Sequence, residues 1–173
     1  MADYKVEVVV AIPTGSRNEY EYDHARHVVR IRSRLFSATS YPADHGFIPD
    51  TLAEDGDPLD AFVVVDNPTF PGSHVIARPA VLSWMTGEKG PDAKVICVPL
   101  NGPRSDDVSD LDDLSLNLRA ESEQFFAIYN DPKPGKATHA RGYEGRSVAF
   151  GEISASRERF GEAAPVRQRG ERL

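Results

Sequence analysis

The chain has 173 residues, 40% hydrophobic and 27% charged, with a formal net charge of −7. That is enough for one domain with a single core, and one cysteine allows no intrachain disulfide. The acidic balance excludes a nucleic-acid backbone as main partner, since phosphates demand a basic face. No apolar run approaches membrane-spanning length, and the opening Met1 to Lys5 is no signal peptide. The expectation is a cytoplasmic protein with a small-molecule partner and neither a nucleic acid nor a membrane.

Val6 to Ile12 is Val-rich and reads as a strand ended by Pro13 and Gly15. Asn18 to Asp23 alternates acidic and aromatic residues, as a half-exposed strand does. His24 and His27 bracket a polar turn and read as solvated rather than as paired metal ligands. Over Val28 to Phe36 the pattern puts Arg30, Arg32 and Arg34 on one face and Val29, Ile31, Ser33 and Leu35 on the other. The expectation there is a solvated basic face over a buried apolar one. Tyr41 to Pro49 reads as an irregular, aromatic loop of the kind that lines sites.

The next stretch is the most informative. Glu54-Asp55-Gly56-Asp57-Pro58-Leu59-Asp60 runs into the apolar Ala61 to Val65. Asp55, Asp57 and Asp60 stand at i, i+2 and i+5 on a segment that Gly56 and Pro58 keep from being helical. Carboxylates this dense repel unless a cation or proton separates them. A loop fixed by a strand is also a natural seat for Mg²⁺ or Mn²⁺. A plain surface turn explains the composition equally well, and the pattern is not an EF-hand.

Val75 to Leu82 reads as a strand that Pro79 places at an edge or bulge, and Val95 to Val98 as a buried strand carrying Cys97. In the acidic loop before the helix, Ser109 and Asp112 are spaced like a capping box. Apolar residues at helical spacing predict a helix over Leu114 to Tyr129, stopped by Pro132 and Pro134. Ser147 to Phe160 is a weaker helix interrupted by Gly151. The predicted organisation is a single domain over 1–162 and a mobile tail over 163–173. Strands first and helices later predict an α+β fold around a small barrel or curled sheet.

The acidic heptapeptide resembles the signature of the soluble family I inorganic pyrophosphatases. The likeness continues through Tyr20-Glu21, Tyr41-Pro42, Gly46-Phe47-Ile48, Phe70-Pro71-Gly72, Arg78-Pro79, Asp92-Ala93-Lys94 and Phe125 to Tyr129, from about Val8 to Arg159. The resemblance implies a small five-stranded OB-like β-barrel with flanking helices, commonly a homo-oligomer and in bacteria a hexamer. It implies Mg²⁺, with Mn²⁺ as a substitute, and a diphosphate substrate. Asp55, Asp60 and Asp92 would hold the first metal, and Glu21 would bind substrate-associated metal through water. Asp57 would take a proton from the attacking water, and Tyr41, Lys94 and Tyr129 would contact phosphates or orient the metal ligands.

The chain departs from the family pattern on the substrate side. Glu19, Ser33 and Asn130 stand where the family has Lys, Arg and Lys; Ala11 and Gly87 replace acidic residues, and His45 replaces a Tyr. Each charge-assisted hydrogen bond to phosphate is worth about 1.5–3 kcal/mol, so three losses would remove about 5–9 kcal/mol without compensation. Strand alternation turns Arg32 and Arg34 away from Ser33, although a β-bulge would turn one inward. The expected activity is Mg²⁺-dependent hydrolysis of a diphosphate to two phosphates. The alternatives are a recruited enzyme for an organic (prenyl or nucleoside) diphosphate and a non-catalytic metal- or phosphate-binding homologue.

Overall fold

The computed structural model describes residues 4–87, 90–102, 107–129 and 139–170. Among the described residues eight strands form: β1 (Val6–Ile12), β2 (Asn18–Asp23), β3 (Val28–Arg34), β4 (Asp44–Phe47), β5 (Asp60–Val63), β6 (His74–Gly87), β7 (Gly90–Pro99) and β8 (His139–Gly145). Two helices, α1 (Leu116–Ile128) and α2 (Arg146–Gly170), and a 3₁₀ turn over Leu111–Asp113 complete the domain.

The α+β class holds, but the five-stranded OB-like barrel is corrected. The main sheet has six strands in the order β1-β4-β5-β7-β6-β8, with β1 pairing additionally to β6, while β2 and β3 form a separate two-stranded ribbon. The sequence hides two of the six. β4 carries Gly46 inside a stretch that reads as loop, and β8 is polar and contains Gly142 and Gly145. Gly46 is required there: a Cβ would lie 2.0 Å from the Val9 carbonyl oxygen of β1.

The long β6 serves three neighbours. It pairs β1 through His74 to Ala77 and β7 from Ala77 to Gly87, slips register against β7 between Pro79 and Val81 as Pro79 suggested, and pairs β8 from Val81 onward. One cluster of buried apolar residues joins Val6, Val8, Leu59, Val63, Leu82 and Val95 to Ala149 and Ile153 of α2. A second joins Ile12, Leu35, Phe62, Met85 and Ile96 to Phe125 and Phe126 of α1. Cys97 is buried, as expected, and burial pushes its thiol well above the usual range.

Other expectations shift. The capping box is made by Asp110 and Asp113, one residue on from the predicted pair. α2 starts at Arg146, passes through Gly151 and extends to Gly170, into residues read as tail. Ile31 is 65% exposed, so the apolar face of β3 is not buried; among the described residues the ribbon pairs only with itself.

Three features fix the loops around the acidic segment. Asp44, fully buried, takes four hydrogen bonds: Oδ1 from the amide and hydroxyl of Thr14, Oδ2 from the amide and hydroxyl of Thr69. Thr51 Oγ1 donates to Ile48 O and accepts from Leu59 N, closing the base of the acidic loop. From α2, Arg159 Nε donates to Leu52 O at 2.8 Å while its Nη2 meets Glu152 at 2.6 Å, and Leu52 N donates to Ser156 O.

Candidate active site

The acidic loop turns at Gly56, whose φ of +88° suits a residue without a Cβ. Asp57 N donates to Asp55 Oδ1, and Ala53 N to Asp57 O, so the loop holds its own shape. It ends at Asp60, the first residue of β5. β5 runs parallel to β7 with Asp60 opposite Lys94. Asp92 lies two residues earlier on β7, hence on the same face as Lys94. The result is a buried ammonium between two carboxylates: Lys94 Nζ is 2.5 Å from Asp60 Oδ2 and 3.0 Å from Asp92 Oδ2.

An aromatic wall backs this cluster. The Tyr41 ring lies 4.5 Å from that of Phe125 and 5.7 Å from that of His45, and Phe125 stacks on Tyr129 at 5.1 Å. Lys94 Nζ sits 5.7 Å from the centre of the Phe126 ring. His45 Nε2 is 3.6 Å from Asp60 Oδ2, and its other ring nitrogen is buried without a hydrogen-bond partner among the described residues.

Burial by itself disfavours every charge here, and the partners decide which survive. Burial would raise Asp60, yet Lys94 and then His45 hold it well below the usual carboxylate range. Burial would lower Lys94, but Asp60 and Asp92 more than offset this and push it up. Asp92 ends above its ordinary value: burial raises it, Lys94 opposes, and the negative charges of Asp60 and Asp55 add to the rise. Tyr41 is raised strongly, first by burial and then by the charge of Glu19.

The structure thus brings together Asp55, Asp60, Asp92, Lys94, Tyr41 and Tyr129. Asp57 is exposed and lines an adjoining cavity of about 600 Å³ together with Tyr22, His24 and Phe47. Glu21 is exposed on β2, opposite Arg30. Sequence reasoning gave Glu19 and His45 only as departures from a pattern, whereas the structure makes both part of the site. Glu19 is the cross-strand partner of Ser33, whose hydroxyl donates to Glu19 Oε2. The bulge that could have turned an arginine inward is present, since Ser33 pairs Glu19 while Ile31 pairs Tyr20; Arg32, the extra residue, remains exposed. Asn130 lies outside the described residues. Among the described residues, no three His, Cys, Asp or Glu side chains are arranged to hold a metal ion. The convergence of Asp60 and Asp92 on one ammonium is nevertheless the donor chemistry a hard cation takes.

Carboxylates converging on a cation, beside one buried and one half-buried phenol, are the groups of a site that handles an anionic substrate through positive charge. Residues 8–161 match the family model of inorganic pyrophosphatase. The chain is 45% identical over 154 residues to an inorganic pyrophosphatase of Streptomyces coelicolor, covering 89% of this chain and 94% of that one. It is 40% identical over 161 residues to one of Methanosarcina acetivorans, covering 92% and 95%. The crystal structure of inorganic pyrophosphatase from Thermus thermophilus superposes with a TM-score of 0.88 at 40% identity, over 92% of this chain and 93% of that one. The chain belongs to the family I inorganic pyrophosphatases.

Proposed function

We propose that Asp55, Asp60 and Asp92 hold the Mg²⁺ of this diphosphate hydrolase and that Asp57 is its general base. The reaction is the Mg²⁺-dependent hydrolysis of inorganic diphosphate to two phosphates. The observation that carries the metal assignment is the approach of Asp60 and Asp92 to one cation, the Lys94 ammonium, at 2.5 and 3.0 Å. When bound, Mg²⁺ supplies Lewis acidity that activates a water and offsets phosphate charge; Mn²⁺ serves the same role.

The chain's own residues do the rest. Lys94, held charged by Asp60 and Asp92, would meet a phosphate oxygen when those carboxylates hold Mg²⁺. Tyr41 keeps its proton because burial and Glu19 raise its phenol, so it donates a hydrogen bond to phosphate. Tyr129, on the same wall, orients the metal ligands or contacts phosphate beside it. Asp57, on the exposed turn, accepts the proton of the attacking water. Glu21 would hold substrate-borne metal, as the resemblance implies.

Phosphate release from pyrophosphate with Mg²⁺, compared between the native chain and Asp57→Asn, tests this reading. The variant should lose about 10²–10⁴-fold in rate; full activity in the variant removes Asp57 from the mechanism. We further propose a homo-oligomer, a hexamer by resemblance, acting in the cytoplasm. The exposed apolar side chains Ile31, Phe36 and Phe70 support assembly, and light scattering after size exclusion reads it directly. Among the described residues no helix is long and apolar enough to cross a membrane.

A further inference from the structure

We propose that His45 is a nitrogen ligand of the metal that Asp60 holds, and that it shifts the preference of this site from Mg²⁺ towards Co²⁺ and Zn²⁺. The inference rests on the metal site assigned above and deepens it. Strand register brings the two side chains together. His45 stands opposite Phe62 of β5. Asp60 lies two residues before Phe62, so His45, Phe62 and Asp60 share one face of the sheet. The backbone of His45 is held from the other side by β1, where it pairs Ile12. The ring is held as well: its centre lies 4.9 Å from that of Phe62 and 5.7 Å from that of Tyr41.

The imidazole is placed as a ligand and not as a hydrogen-bonding group. Nε2 stands 3.6 Å from Asp60 Oδ2, longer than a hydrogen bond, and Nδ1 is buried without a partner among the described residues. A phenyl ring would pack against Phe62 and Tyr41 without leaving polar atoms unpaired, which carries a cost. The separation itself has a meaning. Two ligands of one ion, each about 2.1 Å from it, stand about 3.0–3.6 Å apart as the angle between them opens from a right angle to 120°. An ion between Nε2 and Oδ2 therefore fits the spacing already present. Asp60 Oδ2 has lone pairs enough to face both the Lys94 ammonium and the ion. Mg²⁺ takes oxygen, whereas imidazole suits the later transition metals and zinc. His45 stands where the family pattern has Tyr, so the nitrogen is a feature of this chain.

The test reads coordination directly and does not depend on turnover. Native protein, H45Y and H45F are loaded with Co²⁺, and the proton resonances shifted far outside the ordinary range by the ion are recorded by NMR. The native spectrum should contain a set that vanishes when the protein is made with ring-deuterated histidine, and both variants should lack it. Calorimetric titration gives the second readout. The native preference for Co²⁺ over Mg²⁺ should exceed that of either variant by about tenfold. H45F keeps a packed ring without oxygen or nitrogen, so the same loss in both variants assigns the effect to the nitrogen. Far-shifted resonances that all survive histidine deuteration overturn the proposal, as does an equal metal preference in native protein and variants. Failure of the underlying site reading looks different: D60N would then bind Co²⁺ as tightly as the native chain. If D60N binds Co²⁺ weakly while H45Y keeps the native preference, the carboxylate site stands and the role of His45 falls.

Discussion

Lys94, Asp60 and Asp92 are linked so tightly that each sets the charge of the others. Asp60 is depressed, so its contribution to stability is present above the ordinary carboxylate value of about 4 and is lost as pH falls through its folded value. Lys94 is raised, so its contribution is complete below about pH 10.4 and is lost as pH rises through its folded value. Asp92 runs the other way: its raised value makes it a cost at neutral pH that is relieved as pH falls. Denaturant unfolding of Asp60→Asn should therefore show a deficit against the native chain at pH 7 that shrinks towards pH 2. A deficit constant with pH would mean that the charge of Asp60 is not what stabilises. Ultraviolet titration provides a second test. Tyr143 is pushed up to about 12, chiefly by burial, and Tyr41 is raised strongly. Tyr41→Phe should leave the tyrosine ionisation near pH 10 unchanged in amplitude, because Tyr41 does not titrate there. The acidic residues were legible because they lie within one heptapeptide whose turn residues announce themselves. The contacts of Glu19 with Ser33 and of His45 with Asp60 were not, because each depends on a strand register that composition does not encode.

At the scale of elements, the acidic loop is held from behind by α2. Arg159 caps the Leu52 carbonyl and pairs with Glu152, and Ser156 receives the Leu52 amide. Arg159→Ala leaves that carbonyl without its charged donor and should cost about 1–2 kcal/mol, near the low end for a charged hydrogen bond because the side chain is partly exposed. Thermal or denaturant unfolding measures it. Mg²⁺ affinity should fall alongside, since the metal must then order the loop itself. The early strands β1 and β2 were legible from Val-rich and alternating runs, and α1 from its spacing of Leu118, Phe125 and Phe126. β8 was not, being polar with two glycines; it is a strand because β6 offers it an edge. The ribbon misled for a related reason: alternation on β3 implies a buried face only where something covers it.

For the whole molecule, metal and fold are thermodynamically linked. A ligand that binds only the folded state stabilises it by RT ln(1 + [L]/Kd), about 2.7 kcal/mol at a hundredfold excess over Kd. Mg²⁺ with imidodiphosphate should raise the melting temperature of the native chain, and EDTA should reverse the shift and abolish phosphate release. In Asp92→Asn the same addition should give a smaller shift. Retention of the full shift would remove Asp92 from the metal site. The α+β class and the family were legible from the sequence because motifs along most of the domain agree. The sheet order was not, since it depends on β6 passing from β1 to β8 along one part of its length while it keeps β7 across Pro79.

The Asp44 carboxylate has a dynamic consequence. Each of its oxygens serves a different loop, so neither the Thr14 amide nor the Thr69 amide can be released with its hydrogen bond intact on the other side unless the carboxylate stays behind. Hydrogen–deuterium exchange at these two backbone sites, 55 positions apart in the chain, should then slow and quicken together. Asp44→Asn offers one oxygen where there were two, and the synchrony should break, one amide exchanging freely while the other keeps its protection.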